Sequence, residues 1–477
     1  MSPKREGGPV ALKESEEPMK FTQYYLECLS QASYLIGDES TGRAVVVDPR
    51  RDIDEYVRDA ADSGLAIELV LETHFHADFL SGHLELAEAT GAEIAYSSVA
   101  QTDFVSRKLD DGQRLSLGEV ELEILHTPGH TPESISIVVY EKSGNAPYAV
   151  LTGDTLFIGD VGRPDLLSSV GVSQDELANA LYDSLHNKLM SLPNDTRVYP
   201  AHGAGSACGK NLSTDTWSTI GEQRKSNYAL LAPDRDTFIG LVTEGQHPAP
   251  AYFPYNATLN RQDRDLLDES EPPTAQTLEE VLVHAASGAM ILDGRSPEAF
   301  ARGHLKGSIN VGLAGRYAEF AGSVVPADID IVLVVDDGDE LEAKNRLGRI
   351  GFDNVVGYLA NPMAVMVENP DQVQQASRMT AADYLKRKDE TAGLQLVDVR
   401  NPGEVALGTI PGAGSIPVGQ LPSRLDEIDP HAPTVVFCAA GYRSSVGASV
   451  LRQAGFSDVS DIIGGYAAWS DHNLASA

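Results

Sequence analysis

Six side chains in the first half of the chain are of kinds that bind metal ions, and each lies close behind an apolar run. His74, His76 and Asp78 lie in Thr73-His74-Phe75-His76-Ala77-Asp78-Phe79, and His130 in Thr127-Pro128-Gly129-His130-Thr131-Pro132. Asp154 follows Ala149-Val150-Leu151, and His202 sits in Pro200-Ala201-His202-Gly203. In an extended turn His74 and His76 alternate, so both can address one pocket. Proline and glycine hold His130 at a tight turn. A carboxylate placed like Asp154, at the end of a buried strand, is costly unless it meets a cation. Together these residues read as a histidine and carboxylate metal centre. Asp78 and His202 are read as groups that orient the ligands, and His76 stays open between ligand and neighbour.

A second kind of chemistry stands in Phe437-Cys438-Ala439-Ala440-Gly441-Tyr442-Arg443-Ser444-Ser445. A strand over 434–437 leads in and a helix over 446–454 leads out. A cysteine held there faces backbone N–H groups and a helix N-terminus, which stabilise a thiolate and later an anionic persulfide. Arg443 adds positive charge, so Cys438 reads as an activated nucleophile. Ala439, Ala440, Gly441, Tyr442 and Ser444 form the cradle. The spacing is Cys-x4-Arg, tighter than the Cys-x5-Arg cradle of a tyrosine phosphatase.

Two other cysteines need placing. Cys208 lies in Gly203-Ala204-Gly205-Ser206-Ala207-Cys208-Gly209-Lys210. Either the glycine-rich loop exposes a thiol whose pKa Lys210 lowers, or Cys208 is a small buried apolar residue. Cys28, on an apolar strand, is read as core.

The elements that must position these groups follow from periodicity. Segments 34–36 and 43–47 look like a hairpin. Strands are expected at 67–72, 120–125, 134–140, 149–151 and 197–199, with ligands at their ends, as a sandwich with its site along one edge requires. Residues 241–274 are rich in Pro, Asp and Glu and read as linker. Beyond them the chain repeats. Ile291-Leu292-Asp293-Gly294-Arg295 recurs as Leu396-Val397-Asp398-Val399-Arg400, an offset of 105 residues. Ile350-Gly351-Phe352 recurs as Ala454-Gly455-Phe456. The first copy has Val334-Val335-Asp336-Asp337-Gly338-Asp339 where the cysteine loop should be. It has no thiol there, its loop is two residues shorter, and its acidic groups would repel a thiolate or sulfite. It is left a structural or docking role.

Composition sets the outer limits. With 477 residues, two to four domains are expected. A net charge of −34 repels phosphate backbones and anionic membranes, so neither nucleic acid nor membrane is an expected partner. The chain has no apolar run near the ~20 residues of a membrane helix. The first 18 residues lack the apolar stretch of a signal peptide and read as disordered tail. Three widely spaced cysteines argue against a disulfide framework and for a reducing cytoplasm.

On these motifs residues 20–240 resemble the metallo-β-lactamase fold, and within it the persulfide dioxygenase branch. The common dinuclear pattern, His-x-His-x-Asp-His, has Phe79 at its last position here. The resemblance implies one Fe(II) per chain on His74, His130 and Asp154, a 2-His-1-carboxylate face with open positions for substrate and O2. Zinc remains the alternative metal. Arg163 and Asp165, in Gly162-Arg163-Pro164-Asp165, match a similar pair near the family's site; they either anchor an anionic substrate or form a loop salt bridge. Residues 376–477 resemble the rhodanese sulfurtransferases, with Thr409 where many members carry histidine, and residues 275–372 resemble a degenerate copy. The fold class is therefore α/β, an αββα sandwich followed by two rhodanese-like α/β domains. The implied activity is oxidation of a low-molecular-weight persulfide by O2 to sulfite, coupled to sulfur transfer that gives thiosulfate, in a cytoplasmic homo-oligomer. A zinc thioester hydrolase resembling glyoxalase II and a non-catalytic sulfane-sulfur carrier are the rival readings.

Overall fold

The computed structural model describes residues 19–166, 172–246 and 248–476. The expected tail lies outside them except for Met19, which opens the first strand. One six-stranded sheet holds, in sequence order, β1 (Met19–Leu26), β2 (Gln31–Asp38), β3 (Arg43–Val47), β4 (Ala66–Leu71), β5 (Glu93–Ser97) and β6 (Arg107–Leu109). A second holds β7 (Arg114–Ser116), β8 (Glu121–His126), β9 (Ile135–Tyr140), β10 (Ala149–Gly153), β11 (Arg197–Pro200) and β12 (Ser218–Thr219). The hairpin at 34–47 forms, with Tyr34 opposite Val47.

Period-two patterning dictates the layers. Ile36, Val45, Val47 and Leu69 from the first sheet meet Leu122, Ile124, Ile137 and Leu151 from the second in one apolar core. Their neighbours Leu35, Val46 and Val70 point the other way, onto Tyr56 and Ala60 of the helix Asp54–Asp62 and Leu86 of the helix His83–Thr90. Val138, Val150 and Val198 likewise pack on Leu181 of the helix Gln174–Asp183 and Phe238 of the helix Arg235–Thr243. Strands buried on both faces of both sheets make the αββα sandwich. Strands β8, β10 and β11 run in one direction, so the loops after them open at one edge.

The repeat in sequence is a repeat in topology. In the first copy the strands Ala275–Gln276, Val355–Leu359, Ile331–Val334, Met290–Asp293 and Ile309–Asn310 lie side by side, all parallel. Ser377–Met379, Val459–Ile462, Thr434–Phe437, Gln395–Asp398 and Gly414–Ser415 reproduce that order. The recurring Asp-x-Arg is a buried clamp. Arg295 pairs with Asp293 and donates to the Gly303 carbonyl, and Arg400 does the same with Asp398 and Gly408.

The expected linker is instead part of the fold. Its helix Phe253–Leu259 buries Tyr252 and Phe253 in a core shared with the first copy. Asn260 donates to the carbonyls of His76 (2.8 Å) and Phe79 (2.9 Å), and Arg264 pairs with Glu85. Composition suggested a tether, but buried polar side chains satisfied by the loop that carries His74, His76 and Asp78 do not belong to one. Arg51 continues the seam. Its guanidinium is 1% exposed, 2.8 Å from Glu85 and 2.6 Å from Asp353 of the first copy, and it also donates to the Gly348 carbonyl. Arg349 reaches back to Asp52 at 2.6 Å. Among the described residues no helix is long and apolar enough to cross a membrane.

Arg51→Ala leaves Glu85 with Arg264 and removes the bond to partly exposed Asp353. A loss of about 1.5–3 kcal/mol is expected for a charged hydrogen bond, read as a lower urea midpoint. Glu85, for which burial is outweighed by Arg264 and Arg51, is held down at about 2. Its contribution is complete above the usual carboxylate range and is lost as pH falls toward 2, so Glu85→Gln flattens acid unfolding in that window.

Candidate metal centre and sulfur loop

The structure brings His74, His130 and Asp154 together, with one ligand atom of each within 4.8 Å of the others. Local hydrogen bonds decide which nitrogen each imidazole offers. The Thr73 hydroxyl donates its proton to Asp48 (2.8 Å), so toward His74 Nδ1, 2.9 Å away, it can only accept. His130 Nδ1 lies 2.9 Å from the Arg163 carbonyl, which also only accepts. Both Nδ1 atoms therefore carry hydrogen, and both Nε2 atoms turn lone pairs toward Asp154 Oδ2, at 3.7 Å and 3.5 Å. Burial holds both imidazoles below the ordinary histidine range, for His74 reinforced by His76. Burial would raise Asp154, but His202, His74 and His130 hold it well below the carboxylate range. Two neutral imidazoles and an ionised carboxylate, lone pairs converging on one buried point, fit a divalent cation. Gly153 makes the approach possible. It sits at φ +51°, and a Cβ there would lie 2.8 Å from the Thr73 side chain.

The other histidines fall into a surrounding ring. His202 bridges two carboxylates, with Nδ1 2.7 Å from Asp154 and Nε2 2.7 Å from Asp78. Burial favours its neutral form, yet Asp154 and Asp78 push it well above the usual range. One positive charge between two carboxylates leaves the pocket negative. His76 Nε2 faces Asp48 at 3.2 Å and Glu72 at 3.7 Å. His76 also forms two further candidate groups, one with Asp78 and His202, the other with Asp48 and Glu72. Phe79 is fully buried with its ring 4.3 Å from that of His76.

Arg163 and Cys208 each stood open between two readings. The Arg163 guanidinium binds Asp165 through two hydrogen bonds (2.7 and 2.6 Å) and donates to the Ala207 carbonyl. It is a loop salt bridge, and what it gives the centre is its backbone carbonyl on His130. Cys208 is 1% exposed and close to Asp154 and His202. Burial, then Asp78 and Asp154, push its thiol well up, while the Lys210 ammonium bonds the carbonyls of Leu241 and Glu244 instead. The lowered pKa read from Lys210 is thus reversed. Cys28 lies in the turn after β1, half-buried, with Arg349 3.7 Å from its sulfur. Thr73, Asp48 and Glu72 were not singled out from sequence. For Asp48 the signal was available: like Asp154, it ends an apolar strand.

Cys438 follows the strand Thr434–Phe437, and the helix after it begins at Tyr442, four residues before the expected start. The Gly441 N–H donates to Cys438 Sγ at 3.1 Å, and Ser444 Oγ stands at 3.6 Å. Arg443 pairs with Glu404 through two bonds, 2.6 and 2.7 Å. Its charge is therefore partly spent, which sequence distance concealed. Cys438, Ala439, Ala440, Tyr442 and Arg443 line a chamber of about 1090 Å³. In the first copy the corresponding loop has exposed Asp336 and Asp337.

Residues 26–202 match the metallo-beta-lactamase superfamily, and residues 275–363 and 381–472 each match the rhodanese-like domain. The mitochondrial persulfide dioxygenase ETHE1 of Homo sapiens is 31% identical over 260 residues, covering 53% of this chain and 89% of that protein. The cytoplasmic hydroxyacylglutathione hydrolase of Arabidopsis thaliana is 36% identical over 182 residues, covering 38% of this chain and 66% of that one. A crystal structure of a metallo-beta-lactamase from Staphylococcus aureus superposes with a TM-score of 0.64 at 34% identity, covering 71% of this chain and 98% of its own. The chain is an enzyme that belongs to the persulfide dioxygenase family of the metallo-β-lactamase superfamily, extended by two rhodanese-like domains.

Proposed function

We propose that the sandwich domain oxidises a low-molecular-weight persulfide with O2 and that the last domain transfers sulfane sulfur. The overall oxidation is RSSH + O2 + H2O → RSH + SO3²⁻ + 2H⁺. The terminal sulfur loses four electrons and O2 gains them. The observation that carries this reading is the candidate ligand set, two imidazole lone pairs and one carboxylate, with Phe79 packed on neighbouring His76 where a further ligand would favour a second metal. Ferrous iron bound by His74, His130 and Asp154 would supply the electron chemistry that O2 needs to react with a closed-shell persulfide. The chain's own groups do the rest. Thr73 and the Arg163 carbonyl fix the tautomers of His74 and His130, and His202 holds Asp154 in place.

In the sulfur-transfer half, the Cys438 thiolate attacks the outer sulfur of a persulfide, and the small thiol leaves. Sulfite then takes that sulfur to give thiosulfate and returns the electron pair to Cys438. The Gly441 N–H lies where it can bond the sulfur anion. A second reading, zinc-dependent thioester hydrolysis, is favoured by the likeness to the hydroxyacylglutathione hydrolase and by the further group His76, Asp78 and His202.

O2 uptake by iron-loaded protein given a small-molecule persulfide separates the two. Asp154→Ala should remove uptake and lower bound iron ~10-fold or more, measured by elemental analysis. Cys438→Ser should keep uptake and yield sulfite in place of thiosulfate. Two zinc ions per chain, thioester cleavage and no uptake with iron loaded would instead establish the hydrolase. In the folded enzyme, iodoacetamide should label Cys438, which is as buried as Cys208 but lines the chamber, ~10-fold or more faster than Cys208, whose thiol is raised by burial and by Asp78 and Asp154; peptide mass spectrometry reads the ratio.

A further inference from the structure

The chamber beside Cys438 is built by all three domains. Its walls come from the loop 205–212 of the sandwich, from Arg316, Glu319 and Phe320 of the first rhodanese copy, and from Cys438, Tyr442 and Arg443. A second void, about 10 Å³ and so the size of one water, is lined in part by Asp78 of the metal pocket. It shares Ser206, Ala207, Pro250, Arg316 and Glu319 with the chamber. The partition between the metal pocket and the sulfur loop is therefore made by Ser206, Ala207, Pro250 and the Arg316–Glu319 ion pair, which is its charged part.

That partition is anchored on both sides. Gly205 (φ +100°) leaves room for the guanidinium: a Cβ there would lie 2.8 Å from an Arg316 nitrogen. Tyr442 of the sulfur loop donates to the Gly312 carbonyl at 2.6 Å, just before Arg316 in sequence. Arg346 ties the segment between by donating to the carbonyls of Leu313 (2.6 Å) and Gly315 (2.7 Å). Glu319 feels both centres: burial pushes it up to about 7, with Arg316 and Arg443 pulling it down and Asp78 pushing it up. Arg443 is held by Glu404 through both terminal nitrogens, whereas the closest approach of Arg316 to Glu319 is through Nε. The terminal guanidinium nitrogens of Arg316 are the better placed to meet an incoming oxyanion.

We propose that Arg316 is a sulfite-binding residue in this partition, exchanging Glu319 for the anion, so that sulfite formed at the metal pocket meets the Cys438 persulfide without leaving the chain. This rests on the dioxygenase reading for the source of sulfite. The transfer itself is Cys438–S–S⁻ + SO3²⁻ → Cys438–S⁻ + S2O3²⁻. The sulfite sulfur bonds the outer sulfur, the old S–S bond breaks, and its electron pair stays on Cys438. A domain that lost its own thiol thereby acquires a use.

Metal-loaded, full-length protein turning over a small-molecule persulfide with radiolabelled sulfite in solution tests this. Wild type should give thiosulfate ~5-fold or more poorer in label than the bulk sulfite, when bulk sulfite is kept well below the ~mM effective concentration of a confined intermediate. Arg316→Ala should bring the label to the bulk value and raise free sulfite per O2 consumed, and Arg316→Lys should restore part of the difference. Bulk labelling in wild type, or an unchanged partition in Arg316→Ala, overturns the proposal. A second readout needs no turnover. In a Cys438→Ser background, calorimetric sulfite affinity should fall ~10-fold on Arg316→Ala, the scale of one charged hydrogen bond. Equal affinity removes the anion site, whatever the O2 result. Reduced affinity without O2 uptake keeps the anion site and removes the dioxygenase.

Discussion

The buried carboxylate of Asp154 is the constraint on which the first half of the molecule depends. Its oxygen Oδ2 faces two imidazole lone pairs across a gap too wide for hydrogen bonding and too short for indifference. A buried anion facing lone pairs is unstable unless a cation lies between. The surroundings maintain that arrangement: Asp48 takes the Thr73 proton, so Thr73 takes that of His74, and the Arg163 carbonyl takes that of His130. Only Oδ1 is satisfied from within, by His202. In the second sheet β8, β10 and β11 run in one direction, with antiparallel β9 between β8 and β10, and the loops after them supply His130, Asp154 and His202 from one edge. His74, His130 and Asp154 are each held in the protonation state that a metal ligand needs.

The first rhodanese copy shows what a domain keeps after losing its chemistry. Its Asp-x-Arg clamp matches that of the active copy, bond for bond at the carbonyl that each arginine also meets. Its strand order is the same. What differs is the loop, where aspartates replace the thiol. Around that change the copy has become the bridge. It meets the sandwich through Arg51 and Arg349, and it meets the second copy through Asn310, which accepts from Ser445 at 2.7 Å. One buried core runs from Phe79 and Phe157 through Val335 and Leu347 to Val436 and Val446. Separate beads on a linker would not share such a core.

Local pattern was legible and long-range charge was not. The strands were readable because alternation sets which side chains face which layer. The candidate ligands were readable as one cluster because histidines and aspartates behind apolar strands have few other uses. Residues 241–274 misled because proline and acidic residues describe a tether and a packed connector equally well, while Asn260 and Arg264 reveal themselves only through partners near 76–85. Cys208 misled for a related reason. Lys210 is near in sequence, but the thiol is set by Asp78 and Asp154, and the lysine is drawn to Leu241 and Glu244. Arg443 looked like free positive charge, and Glu404, 39 residues away, compensates it.

That compensation bears on how an anion is handled inside a chain of net charge −34. Among the described residues each Lys and Arg on the chamber wall has a partner: Glu404 for Arg443, Glu319 for Arg316 and backbone carbonyls for Lys210. An unpaired cation there would hold a sulfur oxyanion tightly, and release would become the slow step. A wall with no cation would turn the anion away, since the field of so acidic a protein opposes its approach. Paired cations lie between these extremes. The entering anion must displace a carboxylate, so it gains only the difference between two similar charge-assisted bonds. Weak, exchangeable binding suits an intermediate that has to move on, and it gives the chamber's near balance of Arg and Glu a physical purpose.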